Sequence, residues 1–192
     1  MKNKRYAALV MAAILAASAA MPAMAEVVID GDSSYSSGTT VDSVTASDRE
    51  ADAAVSVSEG DSVSVKGDVD ANVTGGVGVS ADNGKADIGG NVKAEDNNAI
   101  EADNKSEVSV AGNVEGDGGV RADDSKVSVG GNVSGKDMGI EAVDGATVDV
   151  EGNVTSKDNA GVEANKTDRA TDATGATKVT VKGDVTSDDF IG

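Results

Sequence analysis

The 192-residue chain has no cysteine, no histidine and no tryptophan, and its one proline is Pro22. Without cysteine there is no disulfide framework and no thiolate nucleophile or ligand. Without histidine, the commonest general base near neutral pH and the commonest nitrogen ligand for zinc are both missing. Leucine occurs only as Leu9 and Leu15, and beyond residue 25 the aromatics are Tyr35 and Phe190 alone. A globular core is hard to fill in three dimensions without Leu or Phe. A narrow core lined by short branched side chains is easier, and Val with some Ile and Ala supplies nearly all the apolar mass here. Positive charge is scarce too: 16 Lys and Arg stand against 34 Asp and Glu, a formal charge of −18. So acidic a surface repels nucleic acid, anionic membranes and acidic polysaccharides.

Long apolar runs are also missing. The apolar run "YAALVMAAILAASAA" at 6–20 is short of the roughly 20 residues a spanning helix needs. Lys2, Lys4 and Arg5 precede it and "AMA" at 23–25 follows, so residues 1–25 read as a secretory signal cut after Ala25. The mature chain, 26–192, then carries all the acidic residues, is expected to be secreted or displayed on a cell surface, and is expected to insert no segment into a membrane.

What the chain does contain is one phrase written six times. "VSVKGDV" (63–69), "ADIGGNV" (86–92), "VSVAGNV" (108–114), "VSVGGNV" (127–133), "VDVEGNV" (148–154) and "VTVKGDV" (179–185) share a Gly-Asn/Asp-Val triplet. The triplet glycines are Gly67, Gly90, Gly112, Gly131, Gly152 and Gly183, so the steps are similar but unequal and the last is the longest. Between the triplets a second phrase recurs: "GVGVSADNG", "AIEADNK", "GVRADDS", "GIEAVDGA" and "GVEANKT". Each unit thus has two runs of period-two alternation, separated by Gly, Asn and Asp that tolerate left-handed corners. One such unit cannot bury its valines. Stacked units can, each strand lying over its counterpart in the next turn. The pattern predicts an all-β, parallel β-solenoid of about six turns of roughly 21 residues, over 54–192. Residues 26–53 are expected to be an N-terminal cap or a loose Ser/Thr/Asp-rich lead-in. The extra residues near 165–177 are expected to leave the wall as a loop.

The triplet position predicts a structural ladder of Asp68, Asn91, Asn113, Asn132, Asn153 and Asp184. Amides stacked at turn spacing hydrogen-bond along the stack, whereas stacked carboxylates repel, least so at the two ends.

No catalytic, cofactor-binding or metal-binding constellation emerges. Asp123–Asp124 and Asp188–Asp189 are neighbours, and neighbours on a strand point to opposite faces, which suits them poorly to paired acid/base work. "DVDANV" (68–73) begins like a calcium loop but has Val73 where that loop needs glycine and Val79 where it needs glutamate. Gly76-Val77-Gly78 sits among strands with no helix after it, so it is not a dinucleotide site.

With these repeats laid out, the chain resembles the right-handed parallel β-helix passengers of bacterial autotransporter and adhesin-like surface proteins. Those are likewise Cys-free and poor in aromatics, with "GNV…GI.A..GA.V.V" turns. The resemblance covers about 54–192 and implies a right-handed coil. It also implies a non-catalytic structural or adhesive role, without cofactor, toward a host or cell-surface ligand. A polysaccharide-active β-helix enzyme, a lyase or hydrolase, is the alternative. The family's membrane barrel has no counterpart after "VTVKGDV". The chain is therefore expected to be a fragment of a longer adhesin-like protein, or to self-associate through its C-terminal edge, with Phe190 and Ile191 as the only candidate cover.

Overall fold

The computed structural model describes residues 26–29, 38–46, 52–72, 74–165 and 175–189. The signal segment, Phe190 and Ile191, and most of the 165–177 insertion lie outside the described residues.

The described chain is a β-solenoid of about six turns, all β and without helix, with equivalent positions about 22 residues apart. Its strands pair in parallel along three ladders. The first holds the Val-x-Val phrases, seven strands from Thr39–Val41 to Lys178–Val181. In its middle, Val127 pairs with Val108 on one side and Val148 on the other. The second ladder starts at each triplet valine, running Val69, Val92, Val114, Val133, Val154 and Val185. The third carries the Ile/Val-x-Ala phrases, including Val79, Ile100, Val120, Ile140 and Val162. Two strands, Val114–Asp123 and Val133–Val143, bend through a corner and belong to both the second and third ladders.

Alternation decides which side chains go inward. Lys126–Val129 and Glu107–Val110 both read exposed, buried, exposed, buried. β-branched residues suit this pleated packing because χ1 is already restricted. The inner columns are short side chains throughout, with Ile100 and Ile140 the largest of those fully enclosed. This is the narrow core that a chain without Leu can fill.

The sequence pattern differs from the structure in two respects. Each turn contributes to three ladders and not two. The extra segment follows the triplet as "VDA", "VKA" or "VTS", where one valine and one small residue face inward and the alternation is too short to stand out. The array also begins before Ala54. Thr39 pairs with Val63 and Val44 with Val69, so much of 39–46 forms rungs of the first two ladders. The Ser/Thr-rich lead-in hides that rung, since Thr39 takes a place that Val holds in most later turns.

Unequal spacings do not disturb the register. Between the turns that begin at Val114 and Val133 the extra residue is absorbed as an irregularity at Gly116/Gly118, beside the corner. At the last described turn Val185 is half exposed, and Val179 and Val181 are only partly covered.

Candidate interaction surface

The first corner, between the first and second ladders, carries the predicted Asn/Asp column. Each side-chain Oδ1 accepts the backbone N–H of the equivalent residue one turn later. Asp68 takes the Asn91 N–H at 2.7 Å, and Asn91, Asn113 and Asn132 take those of Asn113, Asn132 and Asn153 at 2.8 Å each. Asn153 takes that of Asp184 at 2.9 Å. The expected amide-to-amide contact is replaced by this pattern, and the one side-chain pair along the column runs from Asn91 Nδ2 to Asp68 Oδ1 at 3.0 Å. The corner N–H explains the preference. It must find an acceptor, and an oxygen carried over from the preceding turn provides one. A carboxylate accepts as well as an amide does, so Asp serves at the ends while uncharged Asn avoids a charge stack inside.

The third corner, between the third and first ladders, places a non-glycine residue at positive φ in successive turns: Glu59, Asn83, Asn104 with Lys105 beside it, Asp124 and Asp144. Asn and Asp tolerate this conformation best, which accounts for most of these positions. Beneath it Ser106 and Ser125 are buried. Ser106 Oγ accepts the Gly84 N–H and donates to the Asp103 carbonyl, and Ser125 Oγ repeats this with the Ser106 N–H and the Asp123 carbonyl.

The outer face of the third ladder concentrates charge around one cation. Register puts Glu101, Arg121, Glu141 and Glu163 in one column. The Arg121 guanidinium lies 2.8 Å from Asp103, 3.6 Å from Glu141 and 3.8 Å from Asp123. Partial burial acts to lower its pKa, but Asp103, Glu141 and Glu101 outweigh it and hold the group above its ordinary value. Asp123 shifts upward, first through desolvation and then through Asp144, with Arg121 opposing. Sequence reading missed this cluster because its members belong to successive turns and meet only through the register. Asp124, the neighbour of Asp123 in sequence, sits at the corner with positive φ.

Two outcomes follow from this cluster. Arg121→Gln leaves several carboxylates facing one another. It is expected to cost about 1 kcal/mol, a loss that shrinks in high salt as the repulsion is screened; denaturant melts at low and high salt check it. Asp123→Asn is expected to raise the melting temperature at neutral pH. Because the folded pKa of Asp123 is raised, its ionised form is the disfavoured one in the native state. The penalty is full above that folded pKa and gone below the unfolded value. The advantage of Asn over Asp should therefore fade as pH falls through the carboxylate range, which paired melts along a pH series would show.

The outer face of the first ladder is different. Lys85, Glu107, Lys126 and Thr147 form one outward column, and Asp87, Ser109, Ser128 and Asp149 form the next. Together they line a shallow depression of about 300 Å³. Among the described residues no three carboxylates converge where a metal ion would sit, and no helix is long and apolar enough to cross a membrane. Fold and surface together define a parallel β-solenoid with polar outer walls. No protein-family model, curated protein or solved structure matches this chain.

Proposed function

We propose that this protein is a non-catalytic structural and adhesive solenoid, secreted or displayed on a cell surface, whose outer walls contact ligands on host or neighbouring cells. The observation that carries this reading is the unbroken register of the first ladder, in which seven strands stack without interruption. Six rung spacings of about 4.8 Å make a body roughly 29 Å long, held rigid along its axis and presenting regular columns of side chains outward. The likeness of its repeats to autotransporter and adhesin-like passengers supports the same role. So does a strong negative charge, which keeps such bodies apart from one another in solution.

The alternative, a polysaccharide-active enzyme, is favoured by one observation: Asp123 has a raised pKa beside the half-buried Arg121, as a general acid would. The purified chain on a glycan panel, read for both binding and product release, separates the two. Binding without release is the expected result. Release that Asp123→Asn abolishes would establish the enzyme.

A further inference from the structure

We propose that the two outward columns of the first ladder form a docking trough for a short, uncharged, hydroxyl-rich saccharide lying along the solenoid axis. The inference rests on the adhesive reading and names the ligand class it would serve.

The trough is a product of register. Across four consecutive turns one column reads Lys85, Glu107, Lys126, Thr147 and its neighbour reads Asp87, Ser109, Ser128, Asp149. Serine is short, so the floor is lowest at Ser109 and Ser128. Lys85, Glu107 and Lys126 wall one side, and Asp87 and Asp149 close the two ends. Three rung spacings give it a length of about 14 Å. On the remaining side the chain continues as Gly89, Ala111 and Gly130, which add no wall, and at the fourth turn as Glu151, which pairs with Lys182 of the next turn, so an extended ligand can lie in from the corner over the first three turns.

Its chemistry selects the occupant. Lysine donates, carboxylates accept and serine hydroxyls do both, at a spacing fixed by the rungs. The ion pairs present are loose, Lys126 to Glu107 at 3.7 Å and Lys85 to Asp87 at 3.8 Å, so these groups can turn to a ligand at small cost. A vicinal diol matches a carboxylate at either end, and ring hydroxyls match the serine floor. The lining has no aromatic side chain, and Val108 and Val127, its apolar members, are buried, which leaves little to hold a lipid or a hydrophobic peptide. Three acids against two lysines, on a chain of formal charge −18, disfavour an anionic polymer. A cationic peptide would be drawn to the whole acidic surface and not to this strip.

The test is an array of neutral oligosaccharides against the full chain, followed by amide NMR titration with the best one and, separately, with trilysine. Shifts confined to 107–110 and 126–129 are expected from the sugar. Ser109→Lys, which fills the trough from an exposed position, should weaken sugar binding at least about tenfold. Thr155→Lys, exposed on the second ladder, should leave it unchanged, with far-UV spectra verifying both folds. A sugar that binds but shifts other amides, or survives Ser109→Lys, overturns the trough and leaves the adhesive reading standing. No sugar bound below about 10 mM overturns the trough, and the adhesive reading falls with it only if the chain also fails to adhere to cells. Shifts in the trough from trilysine alone, abolished by salt, would assign it to basic peptides and overturn the proposal.

Discussion

Val127→Asp is expected to unfold the central turns, at a cost on the order of 4 kcal/mol, while Ser128→Asp, one residue away, changes stability by no more than about 1 kcal/mol. Val127 is 2% exposed and stacks between Val108 and Val148 in the first inner column. A carboxylate placed there meets only apolar neighbours, and the narrow core leaves no room to turn it toward water. Ser128 faces out over the trough, with Ser109 and Asp149 as its column neighbours, so an added charge there remains solvated. Denaturant melts of the two variants against the parent check this. Equal midpoints would contradict the inward and outward assignment of this strand.

Gly131→Ala is expected to cost about 1–3 kcal/mol, a large effect for one methyl group at a surface corner. Gly131 has no positive φ, so conformational freedom does not explain it. Space does. A Cβ there would fall on Asn113 Oδ1 and lie 2.6 Å from the Gly112 carbonyl oxygen. Equivalent contacts await a Cβ at Gly112, Gly152 and Gly183. The triplet glycine is therefore required because each corner seats on the one before it, directly over the oxygen that caps the next N–H. Gly60 provides a control: it has positive φ, but a methyl group added there would meet nothing within 4 Å. Gly60→Ala should therefore carry only the strain of its backbone, about 1 kcal/mol. Thermal melts of the two variants should rank Gly131→Ala as the more destabilised, and the reverse order would count against the close seating of the corners.

The parts of the fold visible in the sequence are those whose signal repeats within a few residues. Val127 and Val129, or Ile140 and Ala142, alternate plainly enough to mark two strands per turn and the solenoid built from them. The second-ladder strand beginning at Val133 gives one valine followed by Ser134 and Gly135, too little to distinguish from a loop. Contacts between turns were harder to read. Arg121 meets Asp103 and Glu141 only once the rungs are aligned, and unequal spacings conceal that alignment. The Asn column was visible because the triplet fixes it, but its partner was not: the backbone N–H of the next turn leaves no mark in the side-chain pattern. The trough is hidden for a related reason, since Asp87, Ser109, Ser128 and Asp149 carry no signal singly and form a column only in register.

The central claim is that unequal repeats stack at one constant rise. The absence of cysteine makes it measurable, because paired Cys substitutions can carry spin labels without background. In the outward column of the first ladder Ser64 and Asp149 are four rungs apart, and Ser64 and Thr180 are five. Labels on Ser64→Cys/Asp149→Cys should give a narrow distribution centred at about 19 Å, apart from label length. Labels on Ser64→Cys/Thr180→Cys should give one centred at about 24 Å. The long step from Asp149 to Thr180 should thus add the same single rung as the short step from Ser109 to Ser128. Broad distributions centred at about 50 Å or more, as a flexible chain of these lengths would give, or an increment scaling with the residues in each step, would contradict the solenoid.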